Sequence, residues 1–208
     1  MKRPYGKQTS NGLWNMPAAE RNKEAILNVL RDHAPSYGQA LEIASGTGQH
    51  IIYFAKFLSE LSWIPSDPDA DFRLSIQARI NREKLSNISS PLDLNVLTSS
   101  WPVLEANMVF CSNMIHVAPW EAAKALVYGA NKILSDSGVL FLYGPFRRRE
   151  GHTAKTNELF DKQLKRKNKD WGLRNLEDVE QLGLNVGLVL SEIVKMPANN
   201  FSLIFRRM

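Results

Sequence analysis

The chain has 208 residues, 44% of them hydrophobic and 23% charged, which suits one globular domain with its own core and excludes a disordered or fibrous chain. With one cysteine, Cys111, an internal disulfide is excluded; the four histidines (His33, His50, His116, His152) show no metal-ligand spacing, so a reducing, cytoplasmic setting and no bound metal are expected. No run of eighteen apolar residues exists, and the basic start Met1–Gly6 lacks an apolar h-region, so neither a membrane span nor a secretory signal is expected.

Residues 1–16 are expected to form an N-terminal arm or lid, polar up to the anchor Trp14. From Pro17 the pattern is helical, with Ala18, Ala19, Ile26, Leu27 and Leu30 on one face; Pro35 and Gly38 break it. Leu41 and Ile43 then read as a buried strand that runs into Gly46 and Gly48. These glycines allow a sharp turn and a backbone that can approach a ligand without a Cβ in the way. Ile51, Phe54, Ala55, Leu58 and Leu61 make the apolar stripe of the next helix. A second strand over 62–67 ends in Asp67, followed by a helix with Phe72, Ile76 and Ile80, and Pro91–Leu94 reads as a third strand. Met108–Cys111 is fully apolar, as a central parallel strand should be.

A helix over 120–134, a turn at 135–138 and a fifth strand over 139–143 follow, and the segment 144–153 is a basic loop. Two helices come next, the second starting near Asn175 with Asp178 as its cap pair. Two final strands, 188–194 and 201–205, are joined through 196–200. The alternation predicts an α/β fold: a Rossmann-like, doubly wound, mostly parallel seven-stranded sheet flanked by helices, closed by a C-terminal antiparallel strand pair, in a single domain 1–208.

Glu42, Asp67 and Asp93 each close a successive strand. Asp67 lies nineteen residues after Gly48, the position from which a βαβ unit presents an acid to a ribose hydroxyl pair; the alternative is a helix cap, which Asp69 could also supply. Ile51 occupies the third glycine position of G-x-G-x-x-G, and no lysine follows as in a phosphate-binding loop, so a dinucleotide or nucleoside triphosphate fits poorly. The pattern Glu42-x-x-x-Gly46-x-Gly48 resembles the first motif of class I S-adenosylmethionine (SAM) methyltransferases, in which a carboxylate at the strand end suits a cationic ligand with an amino group. Ala44 departs from that pattern, where many members have glycine; a tighter strand end is expected. The same resemblance gives Asp93 and the Leu94 N–H as adenine contacts and Asn113 as a contact for the methionine end or for the substrate.

Asn113, His116 and Tyr143 are the catalytic candidates, His116 as a general base because its ordinary pKa lies near 6.5. Arg21, Asn22, Asn199 and Asn200 are substrate candidates because a sheet of this class brings their segments to its carboxyl edge. Asn199-Asn200 also reads as plain turn chemistry. Cys111 and the tryptophans 63, 101, 120 and 171 read as packing residues. The net charge of +5 is concentrated in Arg147–Arg149 and in Lys162 to Lys169, without interleaved aromatic residues, and reads as a solvated face and not as a nucleic-acid footprint.

The segments 14–23, 41–50, 143–146, 157–161, 171–174 and 196–200 resemble the methyltransferase-like protein 26 family over nearly the whole chain. That resemblance implies SAM as cofactor, S-adenosylhomocysteine as product and no metal; it supplies no acceptor. The expected function is methyl transfer to a small molecule by a monomer or homodimer. A SAM-binding protein without turnover and an NAD-dependent oxidoreductase are the alternatives.

Overall fold

The computed structural model describes residues 13–208 together with the backbone of Lys7–Gln8. Strands β1 (Lys7–Gln8) and β2 (Trp14–Asn15) pair as a short antiparallel ribbon. The rest of the expected arm lies outside the described residues.

Helix α1 (Pro17–His33) starts on a proline at its first turn, where a missing N–H costs nothing. It buries Ala19, Ile26, Leu27 and Leu30 and stops at Ala34, which takes the extended backbone that a residue before proline prefers. The elements β3 (Gly38–Ile43), α2 (Gln49–Phe57), β4 (Leu61–Pro65), α3 (Ala70–Glu83), β5 (Ala106–Ser112), α4 (Trp120–Ile133) and β6 (Leu134–Gly144) follow. They are completed by α5 (Lys155–Lys167), α6 (Leu176–Leu184), β7 (Leu188–Met196) and β8 (Asn200–Arg207).

The main sheet runs β4-β3-β5-β6-β8-β7. Its first four strands are parallel, and β8 and β7 are antiparallel. The α/β class, the flanking helices and the terminal antiparallel pair are as the sequence predicts. The strand number differs. Pro91–Leu94, expected as a third strand, makes only an isolated bridge from Leu92 to Ser66, so the sheet has six strands. Proline and the exposed Asp93 leave too little pairing surface for a ladder. The expected turn at 135–138 is absorbed into the beginning of β6.

Side-chain alternation along the strands feeds two cores. Ala40, Phe110, Phe141 and Ile204 pack with Ile26, Phe54, Trp63 and Ile76 under α1, α2 and α3. Leu41, Ile43, Leu140, Leu142 and Phe205 pack with Leu126 and Leu176 under α4 and α6. Cys111 is buried in this second core, which pushes its thiol up to about 12, far from a reactive thiolate. Trp63 is fully buried, Trp101 lies against Gly129, and the Arg174 guanidinium sits 5.6 Å from the Trp120 ring, so these three tryptophans serve packing. Because β4 and β5 flank β3 on opposite sides, the order in which strands are added reverses there, and the carboxyl ends of β3 and β5 mark the usual ligand position in such sheets. Among the described residues no helix is long and apolar enough to cross a membrane.

Candidate functional site

The candidate site begins where β3 ends. Ala44, Gly46 and Gly48 all take left-handed backbone conformations, with φ of 53°, 56° and 82°. For alanine this costs roughly 1 kcal/mol, so the departure from glycine is met by strain in place. The two glycines have different reasons. A Cβ on Gly48 would lie 3.0 Å from Ile76, so this glycine permits α3 to close on the loop and is not placed for ligand approach. Among the described residues a Cβ on Gly46 would meet nothing nearer than Met16 Cε at 3.9 Å, so this glycine leaves room beside the loop.

The loop is tied to the neighbouring strand end. The Gly46 N–H donates to Asp67 Oδ2 at 2.9 Å, and Ser66 Oγ donates to the Glu42 carbonyl at 2.7 Å. Asp67 is 4% exposed and accepts a second backbone N–H, from Asp69, at 2.9 Å; burial raises its pKa despite these bonds. Asp69, not Asp67, caps α3 by accepting the Asp71 N–H. Glu42 is 2% exposed, and its Oε2 has no hydrogen-bond partner among the described residues. Burial, with the Asp67 charge adding to it, pushes its carboxyl up to about 8.

Asp93 follows Leu92, the residue bridged to Ser66. Its side chain is 69% exposed and paired with Arg73 at 3.0 Å, and Arg73 also donates to the Asp67 carbonyl at 2.8 Å. Leu94 buries its side chain in the second core.

At the end of β5, Asn113 is left-handed with φ 62°, its N–H donates to the Tyr143 carbonyl, and its amide donates to Ser112 Oγ. The short turn Met114–His116 buries His116 to 1% exposure against Phe146. The Arg174 N–H donates to His116 Nδ1 at 3.3 Å. Burial, reinforced by the Arg174 charge and opposed by a backbone hydrogen bond with Gly172, lowers the imidazole to about 3, so it is neutral. Nε2 has no partner among the described residues and lies against Gly144, where a Cβ would approach it to 2.3 Å. An imidazole held neutral at 1% exposure is a weak base, which argues against the expected general-base role. Arg174 holds this turn through the carbonyls of Ile115 and Ala118.

Tyr143, Asn22 and His50 meet between β6, α1 and α2. His50 Nε2 lies 2.7 Å from Asn22 Oδ1, and Asn22 also reaches the Tyr143 hydroxyl. Burial lowers His50 to about 4 and raises Tyr143, so both stay neutral near pH 7. His50 stacks on Phe54 one turn further on, an i, i+4 pairing that the sequence carries; its use as a polar contact for Asn22 was missed. Arg21 is exposed on the first turns of α1. Asn199 is left-handed like Ala198, and its carbonyl accepts from Asn157, while Asn200 donates its amide to the Pro197 carbonyl. The Asn200 side-chain amide nitrogen is therefore engaged in its own turn.

The described part of the arm lies against the loop. Arg79 donates to the carbonyls of Thr47 and Trp14, Trp14 donates its N–H to Ser75 Oγ, and Gln49 accepts from the Met16 N–H. No sequence signal marked Arg79. Of the basic stretch, Arg148, Lys162 and Lys165 are in ion pairs with Glu177, Glu158 and Asp161. Among the described residues no group of three or more His, Cys, Asp or Glu is arranged to hold a metal ion.

The family described as "Protein of unknown function (DUF938)" matches residues 14–207. Among solved structures, an O-methyltransferase family protein from Burkholderia thailandensis is similar at 14% identity and a TM-score of 0.77, over 91% of this chain and 57% of that one. A putative O-methyltransferase from Nostoc punctiforme is similar at 12% identity and 0.79, over 91% and 56%. Human N-acetylserotonin methyltransferase, in complex with SAM, is similar at 12% identity and 0.75, over 91% and 52%. This chain spans little more than half the length of these proteins, and the likeness is one of fold.

Proposed function

The chain belongs to the DUF938 family, has the fold of SAM-dependent methyltransferases, and from that premise we propose that it binds SAM and transfers its methyl group to a small molecule. The observation that carries the reading is Glu42: a buried carboxyl with a bare oxygen at the end of the first central strand, beside two left-handed glycines. A buried polar atom without a partner is costly, and a ligand ammonium would relieve that cost. Asp67 has lone pairs left for a ribose, since each of its oxygens accepts one backbone N–H. Gly46, the strained Ala44 and Asn113 would complete the cradle, with Asp93 and the Leu94 N–H on the adenine side. Bound there, SAM supplies a methyl group on a sulfonium.

The residues of this chain would orient the acceptor and keep water away. Tyr143 and Asn22 offer neutral hydrogen-bonding groups, and Arg21 and Asn199 lie on segments nearer the surface. A step of this kind rests mainly on positioning. Nothing in the site calls for nucleic acid or membrane, and a monomer or homodimer would serve. Ile51 favours this reading over an NAD-dependent one: it is fully buried in the first core, where a third glycine would have let α2 pack closer to the strand.

Calorimetric titration of SAM beside NAD tests the proposal. We expect saturable SAM binding and none for NAD; the reverse result would remove the reading. Release of labelled methyl groups from SAM separates an enzyme from a protein that only holds the cofactor.

The arm would close the cradle. Arg79→Ala removes its contacts to Thr47, Trp14 and Asn15, and should leave the fold intact while weakening SAM retention. Limited proteolysis with and without SAM reads this out. In the parent protein, cutting near residues 13–16 should slow when SAM is added, and in the variant it should not. Equal cutting rates in all four samples would exclude cofactor-linked closure.

A further inference from the structure

With His50 and His116 buried and neutral, and His33 closing α1 just ahead of β3 at the opposite edge of the sheet, His152 is the histidine left for proton transfer. His152 follows the tight Arg148–Gly151 hairpin, whose two ends exchange backbone hydrogen bonds of 2.9 and 3.0 Å. Its side chain is 19% exposed, and its Nε2 lies 3.1 Å from Asp161 Oδ2. Asp161 is 2% exposed on α5 and also accepts from Lys165 Nζ at 2.7 Å and from the Leu173 N–H at 2.8 Å. Burial opposes its charge, but these three donors hold the carboxyl below its ordinary range. Gly172 leaves the room: a Cβ there would lie 2.7 Å from Asp161 Oδ1.

The pair is tied to the carboxyl edge from two sides. The Gly172 N–H donates to the His116 carbonyl, and Asn157 links Thr153 to the Asn199 carbonyl in the turn between β7 and β8. Asp161 accepts the Nε2 proton, and Nδ1 takes no hydrogen bond among the described residues, so its lone pair is left for an acceptor's proton. A base oriented by a buried carboxylate is the arrangement that proton abstraction needs.

We propose that His152, oriented by Asp161, is the general base for the acceptor, and that the acceptor is a weakly acidic O–H or N–H compound that must lose a proton as it reacts. This rests on the methyl-transfer reading above. The acceptor's oxygen or nitrogen forms its bond to the methyl carbon while the carbon–sulfur bond breaks, its electron pair staying on sulfur. The acceptor's proton passes to His152 Nδ1. The imidazolium stands beside Asp161 and returns the proton to water, so the positive charge of the sulfonium leaves as that proton.

The test uses the full chain with SAM and three probes, 4-methylcatechol, aniline and thiophenol, with S-adenosylhomocysteine formation as the readout. We expect methylation of the O–H or N–H probe, and a loss of about 100-fold in kcat for His152→Gln, as for removal of a general base. SAM affinity by calorimetry should not change, and added imidazole should restore part of the activity of His152→Ala. Asp161→Asn should behave similarly; if it fails to fold, His152→Gln carries the test. Independently of activity, the ring 15N signals of neutral His152 should show the proton on Nε2, and Asp161→Asn should erase that preference. Undiminished kcat in His152→Gln, thiophenol as the preferred probe, or no methylation by a protein that binds SAM would each overturn the proposal. Absence of SAM binding would instead refute the cofactor reading beneath it.

Discussion

SAM should bind more tightly as the pH rises from 6 towards 8, and Glu42→Gln should bind weakly with no such dependence. Burial, and after it the nearby Asp67 charge, holds the Glu42 proton up to about 8 in the ligand-free protein. To face an ammonium the carboxyl must ionise. Each pH unit below about 8 costs about 1.4 kcal/mol for that ionisation, which is about tenfold in affinity. Glutamine has no proton to release and no charge to offer.

The same group ties stability to pH in the empty protein. Its ordinary pKa is 4.5 and its folded one about 8, so the folded state holds a proton that the unfolded chain has lost. This favours the folded state fully below pH 4.5, and the advantage fades as the pH rises through 8. The full difference is at most about 5 kcal/mol. Thermal melts at pH 5 and pH 8 should therefore differ more for the parent than for Glu42→Gln. Calorimetry with SAM at pH 6, 7 and 8 reads the binding side, and an affinity that ignores pH would show that Glu42 does not face the ammonium.

Asp67→Ala should lose both SAM affinity and stability. The carboxylate accepts the N–H groups of Gly46 and Asp69 from a buried position, and alanine leaves both donors without a partner. Bonds to a charged group contribute about 1.5–3 kcal/mol each, so a stability loss of about 2 kcal/mol or more is expected. Loss of the ribose partner should weaken SAM binding by roughly 1–3 kcal/mol. Asp67→Asn keeps one acceptor oxygen and should fall between. Denaturant unfolding and calorimetry on the same samples separate the two effects. If stability falls while SAM affinity holds, Asp67 is a brace for the glycine loop and not a ribose ligand.

How far the site was legible follows from what spacing can encode. Glu42, Gly46, Gly48 and Asp67 lie in one βαβ unit, and local order along the chain fixes their relative places once the strand and helix periods are recognised. Spacing could not say what each glycine is for. Gly48 makes room for Ile76, which is twenty-eight residues away and reached only when α3 packs. Asp93 was placed by analogy with its two predecessors, and its segment failed to pair because one bridge to Ser66 is all that the irregular backbone allows.

Sequence by itself determined the α/β alternation, the glycine turn, the buried central strands and the antiparallel close, because each is set by a short-range period or by the backbone preferences of glycine and proline. Tertiary structure alone decided the states of the polar residues. His116 is a weak base because the fold buries it and brings Arg174, fifty-eight residues on, against it. Arg79 reaches back sixty-five residues to clamp the arm, and His50 finds Asn22 across a helix pair twenty-eight residues apart. His152 gains its carboxylate from a helix that begins only after the loop has turned. The proton and charge of a buried group depend on what surrounds it in space, and at these separations nothing in the local pattern names the neighbour.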